Sequence, residues 1–373
     1  MLTGGRRRAL VVYSRVGGGH LSAARAIAYE LESSEGCAVG LVDAYVECGR
    51  FPVTLFPAAY ARLARHHPTL WSTIYIASSK GLDPEIALGP FLREGFRRVL
   101  RERQPDVVVS VLPGVNGLLA EAAKQCGARV EVVLTDWHSV HRFWQARGVH
   151  HYTAPTDSAR LDCIRFGAPP EAVDVVGVPI RREFAGQAGA DRAHLLAQIG
   201  LEPDRLTVLA MVGAEGSPRA RRNIARLARL EQNVQLVVVC GHNGELRRDV
   251  QRLPARVPVS ALGFVDNVAE LMQAADVVVT KAGGLTLAEA FACHAPVVVH
   301  DVLPGQEAGN LEYVVRARAV LYAPDPEALM RVVSELCANA AMRAELAERG
   351  AHLARPDAAR QIARNIVSRL EGL

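Results

Sequence analysis

Residues Asp276–Tyr313 read DVVVTKAGGLTLAEAFACHAPVVVHDVLPGQEAGNLEY. An apolar run, Val277 to Val279, leads into a small-residue turn, Lys281-Ala282-Gly283-Gly284. A helical segment follows from Leu285 to Cys293, then a second strand-like run, Val297 to His300. Strand, turn, helix and strand in this order form one unit of a parallel α/β sheet. Gly283 and Gly284 let the backbone come close to a ligand at a helix N-terminus, where free N–H groups favour an anion such as a diphosphate. Glu289, placed near the first turn, is suited to accept hydrogen bonds from hydroxyls. The next loop, Pro304 to Asn310, adds Gln306, Glu307 and Asn310. A diphosphate to cradle and many hydroxyls to bind are the needs of a sugar nucleotide.

Working back along the chain, Leu206 to Val212 is a strand that ends in Gly213-Ala214-Glu215-Gly216-Ser217-Pro218, with a helix from Arg219 to Leu230. Val234 to Cys240 is the next strand, and Leu262 to Asn267 reads LGFVDN. The N-terminal half repeats the theme. Ala9 to Tyr13 is a strand, followed by Gly17-Gly18-Gly19-His20 and a helix with apolar positions at Leu21, Ala24, Ile27, Ala28 and Leu31. No Gly-Lys-Ser/Thr follows the glycines, so this is not a P-loop. The third glycine of a dinucleotide fingerprint would fall at Ser22. Asp43, at the end of the next strand, keeps a Rossmann dehydrogenase as an alternative.

Asp106 to Leu112 is a buried strand, Val115 to Gln125 a helix and Val130 to Leu134 another strand. At its carboxyl end stands Thr135-Asp136-Trp137-His138-Ser139-Val140-His141-Arg142-Phe143-Trp144, where ligands of such sheets bind. His138 and His141 are three apart, a spacing a metal pair uses, but no third ligand accompanies them. The chain also has no Asp-x-Asp pair, and no metal is expected.

Between the two parts of this first half lies an amphipathic stretch. Residues 50–103 carry nine basic against four acidic side chains, interleaved with Phe51, Leu55, Phe56, Tyr60, Leu70, Trp71, Ile74 and Tyr75. Such a mixture suits the headgroup layer of an anionic membrane. The alternative is a helical excursion whose aromatics pack inward. For the whole chain of 373 residues the net charge is only +4, which disfavours a bulk nucleic-acid binder. Seven cysteines without a C-x-x-C pair fit a reducing cytosol. No apolar run reaches the length of a membrane-spanning helix, so membrane contact is expected to be peripheral, on the inner face.

TKAGGLTLAEA followed by PGQEAGN, together with GGGHLSAARAI near the N-terminus, resembles glycosyltransferase family 28, in the branch of monogalactosyldiacylglycerol synthases and processive diacylglycerol glucosyltransferases. The resemblance covers most of the chain. It implies the GT-B architecture: α/β, two Rossmann-like domains facing across a cleft. Residues 1–186 would form the acceptor domain, 187–355 the UDP-sugar domain, and 356–373 a terminal helix crossing back.

The implied activity is a metal-independent, inverting transfer of galactose or glucose from a UDP-sugar to a lipid hydroxyl, diacylglycerol first, with no cofactor. By this resemblance His20 is the general base, with Asp136 on the acceptor side. Gly213, Gly216, Ser217, Gly283 and Gly284 approach the diphosphate. Phe264 and Val265 flank the uracil, and Glu289 binds ribose. Gln306, Glu307 and Asn310 read hydroxyls of the sugar and the ribose-diphosphate. Gly18, Gly19, Arg15, His141, Tyr60 and Trp71 fall on the acceptor side. Arg15 stands where many relatives carry an acid, which raises an acceptor with negative charge. A soluble natural-product acceptor is the second reading; a UDP-sugar-binding protein or an epimerase is the third.

Overall fold

The computed structural model describes residues 6–16, 18–78, 84–186, 192–212 and 219–372. The expected linker 187–191 and the turn holding Gly213, Gly216 and Ser217 lie outside the described residues. The chain divides into two compact units. One comprises Met1–Leu63, Thr69–Arg181 and Asp357–Leu373; the other comprises Ala64–Pro68 and Arg182–Pro356.

The first unit is built on a six-stranded sheet. Its strands are β1 (Arg8–Tyr13), β2 (Ala38–Asp43), β3 (Val107–Ser110), β4 (Arg129–Val133), β5 (His151–Ala154) and β6 (Val173–Val175), in the order β2-β1-β3-β4-β5-β6. All pairings are parallel. The central strands are valine-rich and do not alternate with polar residues, because helices cover both faces; β3 is buried at all four positions. The order reverses between β1 and β3, so the loops leaving these two strands diverge and open a crevice at their carboxyl ends.

The second unit repeats the plan with β7 (Leu206–Met211), β8 (Val234–Val239), β9 (Val259–Leu262), β10 (Val277–Lys281), β11 (Val297–Asp301) and β12 (Val320–Tyr322), ordered β12-β11-β10-β7-β8-β9 and again all parallel. Here the reversal lies between β7 and β10. The fold is therefore two Rossmann-like domains, the GT-B class.

The last helix, Ala358–Glu371, belongs to the first unit. Its buried face, Ala358, Ala359, Ile362, Ala363, Ile366 and Val367, packs on the alanine-rich helix Gly18–Ser33. Small residues on both sides allow the axes to approach closely. Arg369 of this helix grips buried Glu131 of β4 with two nitrogens, and its third nitrogen reaches Asp174 of β6 at 3.0 Å.

The described part of the amphipathic stretch is mostly helical, as Phe56–His66, Pro68–Ser78 and Pro84–Arg103. The last of these lies tight against the loop after β2: Arg50 N donates to Phe91 O, and the backbone of Cys48 occupies the place a side chain at Gly95 would need.

Candidate active site

In the first unit, the carboxyl ends of β1, β3 and β4 bring one cluster together. His20 is the third residue of the helix Gly18–Ser33, just after the β1 loop, and so sits inside the first turn rather than at the loop junction. Its Nδ1 is buried without a hydrogen-bond partner. Burial lowers its pKa from 6.5 to about 4, and a hydrogen bond with the backbone of Val111, which follows β3, offsets only part of this. The imidazole is thus neutral at neutral pH, with a lone pair able to take a proton.

Its ring lies 6.2 Å from that of Trp144, which is itself fully buried. Trp144 donates its indole Nε1–H to Asp136 Oδ2 at 3.0 Å. Asp136 therefore meets His20 through Trp144, and the structure gives no direct bond by which it would orient the imidazole. Tyr75 adds a phenol to this group; burial, then the Asp136 charge, push its pKa up.

The other acceptor-side residues are placed less uniformly. Tyr60 is buried and meets Trp71 edge-on at 4.8 Å; Trp71 approaches Tyr75 at 6.2 Å, and Tyr75 approaches His141 at 4.6 Å. These aromatics pack inward as a ladder. The indole Nε1 of Trp71 is buried with no partner. His141 has both nitrogens in use: Nδ1 accepts from Phe143 N at 3.2 Å, and Nε2 faces Ser78 Oγ at 3.2 Å and Tyr75 O at 3.4 Å. It ties the helix Pro68–Ser78 to the Asp136 loop.

His138 turns instead to Ser158 Oγ, so the two histidines do not converge. Among the described residues no group of three or more His, Cys, Asp or Glu is placed to hold a metal ion. Gly18 is exposed and Gly19 half-buried at the start of the helix. Arg15 is exposed beside them, its Nε 3.8 Å from Asp43. Asp43 itself is buried and accepts from the backbone N–H groups of Arg15, Tyr45 and Val46. A carboxylate so occupied is not available to a dinucleotide ribose, which removes the basis for a dehydrogenase.

The amphipathic stretch separates into two populations. Tyr60, Trp71 and Tyr75 turn inward, while Phe51, Leu55, Leu70, Ile74, Ile76 and Ile86 are exposed, Phe51 and Ile86 by more than three quarters. The basic excess is partly consumed within the protein. Arg93 and Arg97 bind Glu121, and Arg101 binds Glu94. Among the described residues no helix is long and apolar enough to cross a membrane.

In the second unit the carboxyl ends of β10 and β11 form the counterpart. Gly283 caps the helix Gly284–Ala292 with an extended conformation, φ −70°. Nothing in packing or backbone demands glycine there: a Cβ would meet only Glu307 Oε1 and Thr286 Oγ1, both at 3.8 Å. The missing side chain leaves room above a helix N-terminus, which suits a ligand.

Glu289 is the sixth residue of that helix, in its second turn rather than its first, and is buried. Glu307 is buried as well; Lys281 Nζ donates to its Oε1 and Leu303 N to its Oε2. Asn310 Nδ2 donates to Ala282 O at 3.2 Å, tying the helix Ala308–Arg316 to the glycine turn. Gln306 is half-buried in the same loop, where Gly305 takes the left-handed conformation, φ +84°. Beyond β9, Phe264 is exposed and stacks on His242 at 4.7 Å and 6°, forming a flat platform; Val265 beside it is half-buried.

Known proteins resemble both halves of the chain. The family model for monogalactosyldiacylglycerol (MGDG) synthase matches residues 20–180, beginning at His20. The model for glycosyl transferases group 1 matches residues 206–353. A probable monogalactosyldiacylglycerol synthase 2 of Oryza sativa subsp. indica is 30% identical, over 89% of this chain and 74% of the relative. The chain belongs to the monogalactosyldiacylglycerol synthase family. A synthase of this family from Spinacia oleracea is 29% identical over 96% of the chain and 72% of its own. A processive diacylglycerol beta-glucosyltransferase of Bacillus licheniformis is 26% identical over 88% of the chain and 86% of its own. Solved structures with the same fold include MurG of Acinetobacter baumannii (TM-score 0.65, 16% identity, 98% of this chain and 100% of that one). They also include a UDP-GlcNAc 2-epimerase of Neisseria meningitidis (TM-score 0.64, 13% identity, 97% and 100%). Fold alone therefore does not separate transferase from epimerase; family membership does.

Three features of this family member escaped the sequence reading: the Lys281–Glu307 pair, the Trp144–Asp136 bond and the His242–Phe264 stack. Only the first left a signal, a lysine one residue ahead of two glycines.

Proposed function

We propose that this chain transfers a hexose, galactose or glucose, from a UDP-sugar to a hydroxyl of diacylglycerol, with inversion and without a metal ion. One observation carries the reading. The relatives, named for monogalactosyldiacylglycerol synthesis and for diacylglycerol glucosylation, match across both units at once. A protein that only bound or epimerised a UDP-sugar would have no use for the acceptor-side cluster of the first unit.

In this reading the neutral imidazole of His20 takes the proton of the acceptor hydroxyl. The alkoxide oxygen forms its bond to the anomeric carbon as the bond from that carbon to UDP breaks. A single displacement inverts the configuration. Gly283, Gly284 and the N-terminus of the helix Gly284–Ala292 receive the diphosphate charge, joined by the turn containing Gly213, Gly216 and Ser217. Phe264 and Val265 hold the uracil, Glu289 the ribose, and Gln306, Glu307 and Asn310 the hydroxyls. On the acceptor side, Trp144 holds Asp136 in place, and Tyr60, Trp71 and Tyr75 line the approach, with Trp71 Nε1 offering a free donor to a lipid oxygen. Arg15, Gly18 and Gly19 border the acceptor. The exposed side chains Phe51, Leu55, Leu70, Ile74, Ile76 and Ile86 dock peripherally on an anionic membrane, on its cytoplasmic face.

The test is UDP release from UDP-galactose and from UDP-glucose, with and without diacylglycerol in mixed anionic micelles. Stimulation by diacylglycerol with one sugar is expected. UDP binding with no response to diacylglycerol would leave the donor half standing and turn the acceptor to a soluble compound, where exposed Arg15 favours a negatively charged one.

A further inference from the structure

Lys281 has no role in the scheme above, yet it stands in the middle of the donor-side groups. It is the last residue of β10, and the pairing with β11 slips between Thr280 and Lys281. Such an irregularity re-aims a side chain out of the ordinary alternation of the strand. The re-aimed ammonium meets Glu307 Oε1. Both partners are largely shielded, with side-chain exposures of 27% for Lys281 and 8% for Glu307. The same carboxylate oxygen borders Gly283, at 3.8 Å from where a Cβ would be. A carboxylate and an ammonium thus flank the space kept open over the helix N-terminus.

These two charges act oppositely on a diphosphate. Glu307 repels it; Lys281 attracts it. With no donor present, each cancels the other's cost of burial. Once a diphosphate arrives, the ammonium has a competing partner that carries more charge. Charge-assisted bonds to phosphate are among the stronger polar contacts, so the exchange is favourable.

We propose that Lys281 changes partners when the donor binds. It leaves Glu307 for a diphosphate oxygen, and the released carboxylate oxygen accepts a hydroxyl of the hexose. The pair is then a donor-operated charge exchange, and Lys281 is a further binding residue that also meets the charge growing on UDP as the sugar departs. This inference rests on the UDP-sugar reading of the site. It explains why a glutamate expected to bind hydroxyls has both oxygens engaged in the structure.

The test compares calorimetric binding of UDP and of uridine by the wild-type chain, Lys281→Met and Glu307→Gln. Lys281→Met should weaken UDP about tenfold or more, the scale of a lost bond to a charged group, and leave uridine unchanged. Glu307→Gln should tighten UDP several-fold, because the competing carboxylate is gone, while turnover of the UDP-sugar falls. The opposite signs are diagnostic, since a purely structural ion pair would make both substitutions weaken UDP alike. A misfolded variant cannot account for tighter binding, so Glu307→Gln guards the test against a folding defect. Equal weakening by both variants, or UDP affinity unmoved by Lys281→Met, would overturn the exchange. If the wild-type chain fails to bind UDP, the donor reading itself falls.

Discussion

His20 shows what one residue gains and loses by its setting. Burial keeps the imidazole neutral, with a pKa of about 4. It loses driving force as a base but is in the right protonation state over the whole neutral range. An ordinary imidazole would lose half its basic form at pH 6.5. Here the acidic limb of kcat/KM due to this group should lie at about pH 4 instead, read from a rate profile with saturating UDP-sugar. His20→Ala should reduce turnover by about 100-fold or more while UDP affinity is kept; near-normal turnover would remove His20 from the chemistry. The positions of His20, Gly283 and Gly284 at the start of a helix were legible in the sequence, because each follows a predicted strand that ends in glycine. The partners of Asp136 and Glu307 were not. Trp144 lies eight residues from Asp136 and Lys281 lies 26 from Glu307, and only the folded loops decide that they touch. The partners of His141 were hidden for the same reason: its neighbours engage both nitrogens, and only the folded loops bring them there.

At the scale of elements, the strands were readable because parallel sheets buried on both faces require continuous runs of valine and leucine. The amphipathic stretch was readable as helix but not in its facing. Aromatic and aliphatic residues look alike in a pattern, and packing alone sent Tyr60, Trp71 and Tyr75 inward and left Leu55, Leu70 and Ile74 outside. Gly95, in the helix Pro84–Arg103, gives an element-scale test. Alanine is the better helix former by about 1 kcal/mol. A Cβ at this position, however, would lie 1.8 Å from the carbonyl oxygen of Cys48, a backbone atom that cannot swing aside. Overpacking costs about 1–3 kcal/mol, so the clash should outweigh the propensity. Gly95→Ala should lower the thermal midpoint by a few degrees. An unchanged or raised midpoint would show that this helix can shift away from the loop after β2.

For the whole molecule, two Rossmann-like halves followed from the sequence, since each half alternates strands and helices; the strand order within each sheet is set by the fold. The attachment of the last helix depends on a pairing no local pattern shows. Arg369 neutralises Glu131, which is only 2% exposed, and also reaches Asp174. Removing one partner of a buried pair costs about 3–5 kcal/mol, because the other charge is stranded. Arg369→Met should therefore destabilise the first unit strongly in urea denaturation. The double variant Arg369→Met with Glu131→Met should recover a large part of the loss. Additive losses would mean that the pair is not coupled. The same feature orders events during synthesis. Glu131 and its arginine are 238 residues apart, and the main segment of the second unit, Arg182–Pro356, is encoded between them. A nascent chain must carry the first sheet past the ribosome with an uncompensated carboxylate at its centre, make Arg182–Pro356 of the second unit, and only then deliver the cation. The unit begun first is the one finished last.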